Sequence, residues 1–241
     1  MDPSFRFKQF AVEQNRCAMK VGTDGILLGA WAQAEQSERI LDIGTGTGLI
    51  ALILAQRFPN AMIDAVELEK NAAEQAAKNF SASPWRDRLS LHHQSIQSFT
   101  ASGLHDNAYS LIVSNPPWFA DSLKSKEISR NLARHTDSLS SDDLLNSVRI
   151  LLGDSGRFAV VLPFGDLTPF ILSASERNLF CHRQCHVRSK PGMLPHRVLL
   201  EFETPAVGSS VIHQELIIEN EQHHDYTEPF RELTRELYLR F

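Results

Sequence analysis

Asn115-Pro116-Pro117-Trp118 follows directly on the apolar run Ser110-Leu-Ile-Val-Ser114. A planar exocyclic NH2 group is a poor nucleophile, because its lone pair is delocalised into the ring. A site that makes such an amine react has to accept both of its N–H protons and hold the ring flat. The Asn115 carboxamide oxygen and the Pro116 carbonyl are two suitable acceptors. Pro116 and Pro117 fix φ and stiffen the backbone that aims them. Trp118 offers a face for stacking, worth about 1–3 kcal/mol per base. Asn-Pro also marks ordinary turns, so these four candidate catalytic residues gain meaning only from what surrounds them.

A second constellation lies upstream. Leu41-Asp-Ile-Gly-Thr-Gly-Thr-Gly48 follows an apolar strand and opens a helix. Gly44, Gly46 and Gly48 let the backbone turn tightly and approach a ligand closely. The dinucleotide fingerprint G-x-G-x-x-G would need its third glycine at position 49, which is Leu49. Glu67 ends the next strand, 19 residues after Gly48, where an acid can accept bonds from both ribose hydroxyls. Leu68, and Ser95 and Ile96 at the end of a third strand, continue that binding edge. Asp42 lies beneath the loop, either facing a ligand's ammonium group or bonding loop amides. Loop, acid and tetrapeptide together follow the order of an S-adenosylmethionine methyltransferase.

The elements that must position these residues alternate between strand and helix, which predicts an α/β fold with a parallel sheet. Strands are expected at Arg39–Ile43, Met62–Leu68, Leu89–His93, Tyr109–Ser114 and Gly156–Leu162. A closing pair follows at His182–Arg188 and Arg197–Glu203, then a late strand at Val211–Ile218. Helices are expected at Leu49–Phe58, Asn71–Phe80, Asp142–Leu152, where Gly153 marks the end, Leu167–Asn178 and Pro229–Leu239. The stretch Phe119–Ser141 is polar and rich in Ser, Lys and Arg, and reads as a substrate loop or a plain surface loop.

At 241 residues, with 42% hydrophobic content, the chain reads as one globular domain. No apolar run nears the roughly 18 residues needed to span a membrane, and the N-terminus lacks a signal-peptide core. Three cysteines point to a reducing cytoplasm rather than a disulfide framework. Cys181-His182 and Cys185-His186 sit on a strand that scatters them over both faces, so no metal is expected. Phe5, Phe7 and Phe10 are expected in the core. The net charge of −5 speaks against general nucleic-acid affinity. Yet residues 177–197 hold five cations and no acid, residues 124–135 four cations against Glu127, and the N-terminal segment is basic too. Such clusters suit a phosphate backbone or simply a solvated face.

The chain resembles the bacterial tRNA1(Val) adenine-N6 methyltransferases, which modify adenosine 37 beside the anticodon. The likeness runs through Phe7-Lys-Gln-Phe10, Cys17–Trp31, Asp42–Gly48, Ala65–Leu68, Ser83–Trp85, Asn115–Trp118, Val160–Pro163, Leu194–Leu200 and Leu237–Phe241. It implies a Rossmann-like class I fold: a seven-stranded, mostly parallel sheet with one antiparallel closing strand and helices on both faces. The single domain would comprise a cap segment at 1–36, a core at 37–205 and a C-terminal strand and helix at 206–241. Its cofactor would be S-adenosylmethionine and its partner the anticodon stem-loop of a valine tRNA. Lys20, Thr23 and Asp24 would meet the methionine end, although Thr23 or Asp24 can also cap a helix near Gly25. Arg6, Lys8, Lys124, Lys126, Arg130, Arg134, Arg188, Lys190 and Arg197 would face RNA. Ser95 stands where an aspartate is usual, and Trp118 where tyrosine is common. Ribosomal guanine-N2 and release-factor glutamine methyltransferases use related site logic. A nicotinamide oxidoreductase is disfavoured by the glycine spacing, and a silent RNA-binding protein by the intact tetrapeptide.

Overall fold

The computed structural model describes residues 4–17, 20–33, 39–117, 139–204 and 210–240. A two-stranded antiparallel hairpin comes first, β1 (Ser4–Arg6) and β2 (Ala11–Glu13). Helix α1 (Thr23–Trp31) precedes the glycine loop. Then β3 (Arg39–Ile43), α2 (Leu49–Arg57), β4 (Met62–Glu67), α3 (Lys70–Ala82), β5 (Leu89–His93), α4 (Ile96–Ala101) and β6 (Tyr109–Ser114) alternate. The second half holds α5 (Ser141–Leu151), β7 (Leu152–Pro163), α6 (Leu167–Ser175), β8 (Phe180–Arg188), β9 (Arg197–Glu203), β10 (Ile212–Ile217) and α7 (Glu228–Thr234).

One sheet runs in the order β10-β8-β9-β7-β6-β3-β4-β5. All its pairings are parallel except those of β9, which runs antiparallel to both β7 and β8. The parallel alternation and the closing pair agree with the sequence expectation, but the sheet has eight strands rather than seven. The late strand β10 joins the same sheet, parallel to β8 at its edge. Side chains alternate between two cores. Ile40, Leu111 and Val113 meet α1 and α2 on one face, while Leu41 and Ile112 meet α4, α5 and α6 on the other. Burial on both faces is why the central strands read as unbroken apolar runs.

Two further differences have physical causes. Helix α5 passes straight into β7 at Leu152, so Gly153 is a strand residue and not a helix terminator. A Cβ on Gly156 would lie 2.8 Å from the Tyr109 carbonyl oxygen, beside an irregularity in the β6–β7 register. Glycine serves close backbone approach there. The hairpin was invisible in sequence because each strand has only three residues. Phe7 and Phe10 stack with ring centroids 4.5 Å apart, and both are buried in the core. Among the described residues, no helix is long and apolar enough to cross a membrane.

Candidate active site

The glycine loop is built from its hydrogen bonds. The amides of Gly44 and Thr45 donate to the Val66 carbonyl at the end of β4, at 2.9 and 3.2 Å. The Gly46 amide donates to Glu67 Oε2 at 2.8 Å, and the Glu69 amide to Glu67 Oε1 at 2.8 Å. The Glu67 carboxylate thus buttresses the loop while each oxygen retains a lone pair for a ligand hydroxyl. Gly44, Gly46 and Gly48 all have positive φ, at 71°, 58° and 84°. Their surroundings differ. A Cβ on Gly44 or Gly46 would meet nothing within 4 Å, whereas one on Gly48 would lie 2.5 Å from the Phe80 ring. Two glycines therefore line open space, and the third permits packing.

Asp42 is wholly buried beneath the loop. Its Oδ2 accepts from Thr45 Oγ1 at 2.5 Å and from the Ala51 amide at 3.1 Å. Oδ1 is buried without a partner among the described residues. Burial pushes this carboxyl up to about 7, against the pull of the Thr45 and Ala51 bonds.

Asn115 leaves the end of β6, half-buried, with Pro116 buried and Pro117 exposed. Ser114 Oγ donates to the Ile43 carbonyl at 2.8 Å, tying the end of β6 to the strand that feeds the loop. From the other side α1 presses close. A Cβ on Gly25 would lie 3.2 Å from Leu49 and 3.9 Å from Asn115 Nδ2, and one on Gly29 would lie 3.0 Å from Ile53. Sequence reasoning missed Ser114 and this glycine pair, although the four-residue spacing of Gly25 and Gly29 puts them on one helix face. It also missed Asn79. That buried side chain accepts from the Glu13 amide and donates to the carbonyls of Glu13 and Thr47, clasping β2 to the glycine loop.

Two cavities open on either side of Gly44, Gly46 and Asn115, all three of which line both. The first, about 330 Å³, is walled by Glu67, Leu68, Ser95, Ile96, Pro116 and Pro117. The second, about 460 Å³, is walled by Lys20, Thr23, Asp24, Thr47, Ser189 and His196. Most of the expected cofactor residues thus line one continuous cleft, with Asp42 and Gly48 supporting it from below. Ser95 caps α4, accepting from the Ser98 amide at 3.1 Å. Thr23 and Asp24 do not cap α1, whose N-cap is Gly22 without a side-chain bond. Asp24 instead accepts from Arg197 Nε at 2.8 Å, so a residue expected at the cofactor and one expected at RNA form a single half-buried ion pair. Burial, and then the Arg197 charge, lower the pKa of His196, favouring its neutral imidazole in the second lobe.

Several of the basic residues are paired within the fold. Arg183, within the acid-free stretch, is buried and pairs with Glu201 at 2.9 Å. Arg177 pairs with Asp142 and Arg188 with Glu215, each at 2.8–2.9 Å, and Lys190 Nζ donates to the Glu221 carbonyl. Lys8 Nζ donates to the Arg235 carbonyl at 2.6 Å, and Arg6 is exposed on β1. Residues 177–197 contain no acid, but the fold brings one from elsewhere to each of their four arginines. Trp118, Lys124, Lys126, Arg130 and Arg134 lie outside the described residues. Burial pushes the Cys181 and Cys185 thiols up to about 11.

Residues 18–147 match the family model of the methyltransferase small domain. The chain is 48% identical over 238 residues to a tRNA1(Val) (adenine(37)-N6)-methyltransferase of Phocaeicola vulgatus, covering 99% of this chain and 98% of that protein. A protein of the same name from Yersinia pseudotuberculosis is 43% identical, covering 98% of this chain and 92% of its own length. Among solved structures, a predicted O-methyltransferase from Agrobacterium tumefaciens superposes with a TM-score of 0.71 at 16% identity, covering 89% of this chain and 96% of that one. That likeness concerns the fold.

Proposed function

This chain belongs to the tRNA1(Val) (adenine(37)-N6)-methyltransferase family, and from that premise we propose that it methylates N6 of adenosine 37 in the anticodon loop of a valine tRNA. It is an S-adenosyl-L-methionine-dependent methyltransferase whose substrate is tRNA. The observation that carries the reading is the placement of Asn115 between two lobes of one cleft, on a strand end that Ser114 ties to the glycine loop.

The cleft fits the cofactor. Gly44 and Gly46 leave open the space that a Cβ would fill. Glu67 would hold the ribose hydroxyls, and Leu68, Ser95 and Ile96 would flank the adenine. Lys20, Thr23 and Asp24, on the lobe beyond the loop, would receive the methionine end. When bound, the cofactor supplies an electrophilic methyl group. Asn115 and Pro116 accept the N–H protons of the target amine and turn its lone pair toward the loop. Their oxygens stabilise positive charge developing on nitrogen. By analogy with lost oxyanion-hole donors, removing one such partner costs about 10²–10³-fold in turnover. Orientation held in advance by β6 and α1 lowers the barrier further. No strong base is needed before transfer, because the methylated ammonium loses its proton readily. An anticodon-loop base is already single-stranded, so extruding it costs less than flipping from a duplex.

The test is methyl transfer from labelled cofactor into tRNA lacking the native modification, with nucleoside mass spectrometry of the product. N6-methyladenosine mapped to the anticodon loop of valine tRNA is expected. Label in ribosomal RNA or a release factor would keep the chemistry and move the substrate. Asn115→Ala is expected to bind cofactor normally and lose turnover by about 10²-fold or more; normal turnover in that variant would remove Asn115 from the mechanism.

A further inference from the structure

The turn joining β8 to β9, residues 189–196, belongs to the cleft at both ends. Ser189 and His196 line the lobe that also contains Asn115, and Ser189 Oγ lies 3.5 Å from His196 Nδ1. Between these feet the chain reads Lys190-Pro-Gly-Met-Leu-Pro195, so five consecutive residues carry no polar side chain. Leu194 is 85% exposed and Met193 51% exposed. Single exposed apolar residues are ordinary. An adjacent pair on a turn tip is less so, since tips are normally polar.

The turn is also held firmly. The His196 amide donates to the Val187 carbonyl at 3.0 Å, and the Met193 amide to the Lys190 carbonyl at 3.3 Å. Arg188 Nη1 donates to the Met193 carbonyl. Gly192 supplies the positive φ of 75° that the turn needs. Pro191 and Pro195 restrict φ on both sides. A stiff tip loses little entropy on binding. Leu194 is left largely uncovered by the described residues.

We propose that Met193 and Leu194 form an apolar wedge that packs against an unstacked nucleobase of the RNA beside the target adenosine. Three observations favour a base over other occupants. The feet of the turn, Ser189 and His196, line the lobe that also contains Asn115. The ammonium of Lys190 sits at its foot, with donors remaining for a phosphate after one bond to the Glu221 carbonyl. Nucleic-acid-bending proteins place Leu and Met side chains against base steps in the same way. The wedge rests on the tRNA reading above, and it assigns part of the grip on the anticodon loop to apolar contact rather than to phosphate pairing.

The experiment is steady-state methyl transfer to tRNA at several salt concentrations, using the full chain and the Met193→Ala/Leu194→Ala double variant. Both side chains protrude, so the variant is expected to fold and bind cofactor like the parent, checked by melting temperature and calorimetry. Its KM for tRNA should rise by about ten-fold, as for a lost base contact, with kcat unchanged. That rise should persist as salt increases, because an apolar contact releases no counterions. Leu194→Phe should keep the parental KM. An unchanged KM in the double variant overturns the wedge, and so does a rise that vanishes at high salt. A parent that sediments as a dimer and a variant that sediments as a monomer would assign the tip to self-association instead. A parent that transfers no methyl group to tRNA overturns the substrate reading itself, which separates that failure from failure of the wedge.

Discussion

The three glycines of the loop share a left-handed backbone but have separate tasks. Gly46 has positive φ and faces open space, so a methyl group there would strain the backbone and intrude on the cleft. Gly46→Ala is expected to weaken cofactor binding while leaving most of the fold's stability, read by calorimetry and thermal melting. Gly48→Ala should behave differently, because its Cβ would lie 2.5 Å from the buried Phe80 ring. Overpacking of that kind costs about 1–3 kcal/mol, in addition to the backbone strain. The Gly48 variant should therefore melt clearly below the Gly46 variant. Equal melting temperatures would refute the division of labour.

At the scale of elements, α1 is joined to the closing strands by buried charge. Glu201 on β9 is fully buried and accepts from Arg183 on β8 at 2.9 Å, from Arg157 on β7 at 3.1 Å and from the Gln33 amide at 3.1 Å. Arg183 also donates to the Trp31 carbonyl, and its guanidinium lies 3.7 Å over the Trp31 ring. Arg57 closes the C-terminal end of α1 by donating to the carbonyls of Gly29 and Ala32. Glu201→Gln keeps the shape but removes the carboxylate that pairs with the buried Arg183. Removing one partner of a buried pair typically costs about 3–5 kcal/mol, and chemical denaturation of the variant should show a loss of that size. Since α1 carries Thr23, Asp24 and Gly25 into the cleft, cofactor affinity should fall with it. A loss confined to stability would mean that α1 keeps its place without this latch.

For the molecule as a whole, Asp42 links stability to pH. The folded chain holds its proton up to about 7, whereas the free carboxyl has a value of 3.8. Stability contributed by the protonated carboxyl is complete below about pH 4 and is lost as pH rises through 7. Asp42→Asn keeps an acceptor for Thr45 and Ala51 without the buried charge. Its melting temperature relative to the parent should therefore improve between pH 5 and pH 8. A constant offset across that range would count against a strained ionised Asp42. The chain ends are also one body with the core. The Lys8 amide donates to the Leu237 carbonyl at 2.9 Å, and Phe5 and Phe7 pack on Tyr238. We propose on this basis that the chain is a single domain, and expect a single unfolding transition.

By itself the sequence determined the alternating strands, the glycine loop with Glu67, the tetrapeptide at the end of β6 and the antiparallel closing pair. These are written in short-range patterns: apolar runs of strand length, positive-φ glycines and prolines after a strand. The tertiary structure alone decided what depends on distant residues. It placed β10 in the main sheet, because an edge strand's neighbour is not written in its own pattern. It paired Asp24 with Arg197 across 173 positions and supplied acids to a stretch that has none. It also separated the ligand-side glycines from Gly48, since only the presence of Phe80 distinguishes them. Local chemistry is legible where the interacting atoms are close in sequence; charge neutralisation, burial and clearance are properties of neighbours brought together by folding.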